Sequence, residues 1–184
     1  ATTAKDGQKT TWSSDRKWEL TGSIGDGKDS GILIDRVTAL AFSPTGDRLA
    51  TGSGVPSRSG RVKIWSTETG GLVAENLESH SDTISEIVFS PLGEEVATAS
   101  TDKFVKVFDA DTGVEHHSFE AHTGHVLGVA WSPDGRLIAS ASADTEVKLW
   151  SLETGEQVNT LKGWEKEVTS VSFLSSSSDA VVTT

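Results

Sequence analysis

The chain has 184 residues and a formal net charge of −11, from 27 acidic against 16 basic side chains. That charge disfavours nucleic acid or an anionic membrane as partner, and no apolar run approaches the ~20 residues that span a bilayer, so the chain reads as soluble. Cysteine is absent, which excludes disulfides and thiolate chemistry and leaves the compartment unread; methionine is absent too, even at position 1, as in a processed, excised or engineered chain.

In chain order, residues 1–24 carry "KTTWSSDRKWEL", a weak copy of a pattern that recurs below, with Trp12 at its aromatic position and Asp6 before it. "GDGKDSG", Gly25 to Gly31, alternates carboxylates with glycines. It lacks the ligand rhythm and terminal Glu of a calcium loop and reads as a solvated insertion. Three stretches then match one another: "VTALAFSPTGDRLATGS" from Val37, "ISEIVFSPLGEEVATAS" from Ile84 and "VLGVAWSPDGRLIASAS" from Val126. A fourth, "VTSVSFLSSSSDAVVTT", starts at Val168, with "SSSSD" in the place of the turn. The aromatics Phe42, Phe89, Trp131 and Phe173 recur every 42 to 47 residues, and Trp65, Phe108 and Trp150 every 42 or 43. A period of about 40–45 residues marks a repeat architecture.

Each unit reads as four short strands. In the third, Val126 to Trp131 is followed by a Ser-Pro-Asp-Gly turn, where Pro presets the geometry and Gly tolerates positive φ. Leu137 to Ser142 follows, then a tight polar connection at Ala143-Asp144-Thr145, then Val147 to Trp150, the "LETG" turn, and Gln157 to Leu161. The first strands are apolar on both faces, as expected of sheets packed between other sheets. The same reading places units at 37–78, 84–120 and 126–162. It places third and fourth strands in 1–24, and first and second strands in 168–184.

"AHTGHVLGVAWSPDGRLIASASADTEVKLWSLETG" resembles a blade of the WD-repeat β-propeller family, and the likeness covers essentially the whole chain. It implies an all-β fold with four blades' worth of four-stranded antiparallel sheets per chain. It also implies a buried tetrad of His, Ser or Thr, Asp and Trp, which this sequence offers as His122, Ser142, Asp144 and Trp150. The preceding unit holds His80, Ser100 and Asp102, but Phe108 replaces the Trp, so that tetrad lacks its last donor. Around Trp65 there is Ser53 but neither the His nor the turn Asp; Trp164 stands at the next His position; Asp6 and Trp12 keep the Asp-to-Trp spacing. Propellers of this family close by pairing strands from the two ends of the chain. The expectation is therefore that Ala180 to Thr184 pairs with Lys9 to Ser13 of a second copy, two chains forming an eight-bladed ring.

The resemblance implies a non-catalytic protein–protein interaction scaffold. The alternative is an engineered or excised half-propeller that assembles with itself and has no native ligand. The expected partners are another copy of the chain and an unidentified protein or peptide, with no nucleic acid, membrane, cofactor or metal. The candidate contact loops hold Asp26, Lys28 and Asp29 in one insertion, Arg58 and Arg61 in "GVPSRSGR", and His125. His116, His117, His122 and His125 crowd one stretch, but His116 and His117 are neighbours on a strand and point to opposite faces, so they do not converge on a metal. Ser, His and Asp of the tetrad invite comparison with a nucleophilic triad; the repeat accounts for them structurally, and no catalytic residues are assigned.

Overall fold

The computed structural model describes residues 36–174 and 181–184, and within them every regular element is a β-strand. The first sheet comprises β1 (Val37–Phe42), β2 (Arg48–Val55), β3 (Ser59–Ser66) and β4 (Leu72–His80). The second comprises β5 (Ile84–Phe89), β6 (Glu95–Ser100), β7 (Phe104–Asp109) and β8 (Glu115–Glu120). The third comprises β9 (Val126–Trp131), β10 (Leu137–Ser142), β11 (Val147–Ser151) and β12 (Gln157–Leu161). β13 (Val171–Phe173) and β14 (Val181–Thr183) form a two-stranded sheet. Each four-stranded sheet is antiparallel with its strands in chain order.

The sheets pack face to face. Ala50, Val62 and Ile64 of the first sheet meet Ile84, Ile87, Val96 and Phe108 of the second. Ala97, Val105 and Phe119 of the second meet Val126, Val129, Ile138 and Trp150 of the third. Ala139, Ala141 and Val147 of the third meet Val168 and Val171. Small residues in the second strands allow this close approach: a Cβ on Gly52 would sit 2.6 Å from Cγ2 of Ile84. Side chains also cross between sheets. Thr38 donates to the Ile84 carbonyl at 2.6 Å, and Glu86 accepts from the Val129 N–H at 2.8 Å.

One expected packing face is open. Leu40 and Phe42 of β1 are each 62% exposed, whereas Ile87 and Val129, at the position equivalent to Leu40, are 2% and 1% exposed. The expected pairing of Ala180 to Thr184 with Lys9 to Ser13 lies outside the described residues.

The topology also sorts the connections into two ends. Sequential hairpins place the β1–β2 and β3–β4 turns at one end of a sheet, and the β2–β3 turn with the β4–β5 crossing at the other.

Candidate functional site

The polar network of the third sheet runs through one fully buried hydroxyl, and that hydroxyl belongs to Ser140. The Trp150 indole N–H donates to Ser140 Oγ at 2.9 Å, and Ser140 Oγ lies 2.8 Å from Nε2 of His122. Nδ1 of His122 lies 2.8 Å from Asp144 Oδ2. Because Ser140 already accepts from the indole, its own O–H goes to Nε2, and the Nδ1 proton goes to the carboxylate. Burial pushes the His122 pKa below its ordinary value, outweighing the hydrogen bond to Asp144 that raises it. Burial alone would raise the Asp144 pKa, but His122 and the Thr123 N–H bring it below the ordinary value. The pair is therefore neutral imidazole on carboxylate.

The expectation of Ser142 in this place is corrected. Trp150 pairs with Ile138 across the β10–β11 ladder, so the indole leans onto Ser140. Ser142 lies two residues further, about 7 Å along the strand. It serves the turn instead, donating to the His125 carbonyl at 2.9 Å and accepting from the Asp144 N–H at 3.1 Å. The same two-residue correction applies in the second sheet. There Nε2 of His80 meets Thr98 at 2.8 Å and Nδ1 meets Asp102 at 2.9 Å, while Ser100 donates to the Thr83 carbonyl at 3.0 Å. In the first sheet Trp65 donates to Thr51, not Ser53, at 3.0 Å, and Thr51 donates to the Lys63 carbonyl at 3.3 Å. Asp6 and Trp12 lie outside the described residues.

Asp144, His122 and Ser140 stand in the order and at the distances of a nucleophilic triad. Ser140 is 0% exposed, however, and its oxygen already accepts the indole N–H. A nucleophile needs access to a carbonyl carbon, so this arrangement fastens strands and does not attack a substrate. Among the described residues no group of three or more His, Asp or Glu side chains converges as a metal site. His116 instead meets Glu95 at 2.7 Å, and His117 stacks on Phe119 with ring centroids 5.6 Å apart.

Of the candidate contact residues, Arg58, Arg61 and His125 are described; Arg58 and His125 belong to connections at the same end of the sheets as the Asp144 turn, and Arg61 lies near the start of β3 at that end. Arg58 is exposed in the β2–β3 turn, where Ser57 adopts φ of 57°. That turn is tied down by the Ser57 N–H, which donates to Asp82 Oδ1 at 2.9 Å. His125 is exposed and donates from Nδ1 to the Thr101 carbonyl at 2.6 Å, linking two adjacent connections. Asp26, Lys28 and Asp29 lie outside the described residues. The opposite end holds a feature that composition did not suggest: two clefts between successive Ser-Pro-x-Gly turns, with Leu92 79% exposed on the ridge between them. Its signal in the sequence was Leu92 itself, an apolar residue where the sister turns carry Thr45 and Asp134.

The family model described as "WD domain, G-beta repeat" matches residues 27–66, 71–109 and 113–151. The latter two matches each run from the outer strand of one sheet through the third strand of the next, so successive repeats interlock. Among curated proteins, protein hir1 of Emericella nidulans is 35% identical over 101 residues, 48% of this chain and 9% of that protein. WD repeat-containing protein SL1-17 of Schistosoma mansoni is 35% identical over 88 residues, 47% of this chain and 27% of that protein. A poly(A)+ RNA export protein of Schizosaccharomyces pombe is 35% identical over 80 residues, 43% of this chain and 22% of that protein. The matches thus span a small part of each of these relatives.

Proposed function

Since this chain belongs to the WD40 repeat family, we propose that it is a non-catalytic scaffold that presents its inter-strand connections to another protein. The observation that carries the reading is the division of labour among its polar side chains. Buried hydroxyls, histidines and carboxylates are consumed in fastening the sheets. The exposed Arg58 and His125 stand on connections held in place by hydrogen bonds to neighbouring sheets. Rigid display of variable loops suits recognition. Affinity capture from a lysate of the source organism tests this. Stoichiometric retention of one protein, lost in Arg58→Glu, is expected. A folded chain that retains nothing above background overturns it.

A second copy is the other partner we propose. The open face of β1 supports it: Leu40 and Phe42 occupy positions that face a neighbouring sheet in the other units. The β13–β14 pair carries the strand that a following unit packs against, with Thr183 opposite Val171 as Thr98 is opposite Ile87 and Ser140 opposite Val129. In an eight-bladed ring of two chains, one copy's β14 covers the partner copy's Leu40 and Phe42. Light scattering at micromolar concentration should give twice the chain mass of 19.4 kDa. Leu40→Glu should halve it without unfolding the sheets, as read by circular dichroism. A monomeric mass for the intact chain overturns the ring.

A further inference from the structure

The turns at the end opposite Arg58 and His125 stand in a row. A Cβ on Gly93 would lie 3.3 Å from Pro44, and one on Gly135 would lie 3.9 Å from Pro91, so each proline rests against the next turn's glycine. Between the β5–β6 and β9–β10 turns lies a cleft of about 250 Å³. Its walls are Pro91, Leu92 and Pro133, the Trp131 indole contributes to its lining, and Glu94 and Asp134 stand among the lining residues. Trp131 is itself unusual among the units, which carry Phe42, Phe89 and Phe173 at this position. Its indole N–H is buried without a hydrogen-bond partner, a destabilising arrangement that Phe would avoid. What the indole adds is a wider aromatic surface.

The repeat supplies its own control. The neighbouring cleft, between the β1–β2 and β5–β6 turns, is lined by Asp47, Glu94 and Asp111, and it already contains a guanidinium: Arg48, paired with Asp111 at 2.7 Å. In the Trp131 cleft the position equivalent to Arg48 is Glu95, whose carboxylate meets His116 at 2.7 Å. Asp134 accepts from the Ser132 hydroxyl at 2.6 Å and from the Arg136 N–H at 3.1 Å. Among the described residues no Lys or Arg lines this cleft, and the Glu94 carboxylate makes no hydrogen bond or ion pair. Among the described residues one cleft holds its cation, and its sister has the Glu94 carboxylate and an aromatic surface without one.

We propose that the Trp131 cleft binds an arginine side chain carried on a peptide segment of a partner protein. A guanidinium is planar, stacks on an indole and pairs with a carboxylate, here Glu94. Apolar neighbours of that arginine rest on Leu92, Pro91 and Pro133. The inference rests on the scaffold reading and places a contact on the face opposite the loops named above.

The test is a titration of the ¹⁵N-labelled chain with acetyl-Ala-Leu-Arg-Leu-Ala-amide, following the Trp131 indole resonance assigned through Trp131→Phe. A saturable shift is expected. It should weaken by about fivefold or more with the citrulline peptide, which keeps the shape and removes the charge, and by a similar factor in Glu94→Gln. Trp131→Phe should fold, since Phe fills this position in the sister units, and should bind more weakly in calorimetry. An absent shift, or equal binding of the citrulline peptide, overturns the proposal. If the peptide fails while Arg58→Glu still abolishes capture of a protein partner, the scaffold reading stands and only this cleft is lost. If capture fails as well, both readings fall.

Discussion

The second and third sheets differ by one donor in an otherwise shared network. His80 and Phe108 lie 6.4 Å apart with their planes at 73°; His122 and Trp150 lie 6.3 Å apart at 68°. Both histidines meet a hydroxyl at 2.8 Å, on Thr98 and on Ser140. Both aspartates also accept backbone N–H groups: Asp102 from Ser81 and Phe104, and Asp144 from Thr123 and Glu146. Only the indole N–H is missing from the second sheet. Thr98 turns toward the Lys106 carbonyl at 3.3 Å as well as toward His80, while Ser140 is committed between Trp150 and His122. Ring packing and the carboxylate end of the network are therefore independent of the indole; its influence stops at the hydroxyl.

The largest expected effect tests that independence. Asp144→Ala and Asp102→Ala should each destabilise by about 3 kcal/mol, because each strands three N–H donors. The two losses should agree within about 0.5 kcal/mol if the indole end does not strengthen the carboxylate end. Urea melts in which Asp144→Ala costs far more would show instead that the four groups act as one cooperative unit. Next in size is the hydroxyl. Ser140→Ala leaves both the indole N–H and Nε2 of His122 unpaired and should destabilise by about 2 kcal/mol, against about 1 kcal/mol for Thr98→Val, which strands only Nε2 of His80. Equal losses would mean that the Trp150 hydrogen bond contributes nothing net.

Acidification should weaken the third sheet. His122 is held below its ordinary 6.5, so the unfolded chain takes up its proton first; this contribution is complete above pH 6.5 and is lost as pH falls toward the folded value. Asp144 is held below 3.8, and its contribution is lost further down as pH falls through the folded value. Glu86, raised above 4.5 by burial against a partial offset from the Val129 N–H, acts with the opposite sign and favours the fold at lower pH. Urea midpoints at pH 7.5, 6.5 and 5.5 should decline, and His122→Gln should flatten the decline; an unchanged slope would remove His122 from the account.

The smallest effect concerns the turns after the two aspartates. Lys103 and Thr145 adopt φ of 80° and 68°, a conformation that suits glycine and disfavours β-branched side chains most. Thr145→Gly should stabilise by about 0.5–1 kcal/mol and Lys103→Gly by less, after the entropy that glycine adds to the unfolded chain. Thermal melts in which Lys103→Gly gains more would assign the strain to packing and not to branching.

Much of the architecture was legible in the sequence. The strands Val126–Trp131, Leu137–Ser142 and Gln157–Leu161 follow the apolar runs and the turn residues between them, and β11 runs one residue past the expected Trp150, to Ser151. Turn chemistry and apolar patterning are local, so they survive in a linear string. The histidine–aspartate halves of the networks were legible for the same reason, being set by their distance from the repeated turn. The hydroxyl was not. Ser140 and Ser142 lie on the same face of one strand, and composition treats them alike; only the ladder register, with Trp150 opposite Ile138, decides which of them the indole reaches. Of the Trp131 cleft the sequence showed only the out-of-place Leu92, because its walls come from two turns more than forty residues apart that meet only when the sheets stack. Local propensity determined what the strands and turns are. Register and inter-sheet packing, which depend on the whole surface each sheet buries, decided which side chains touch.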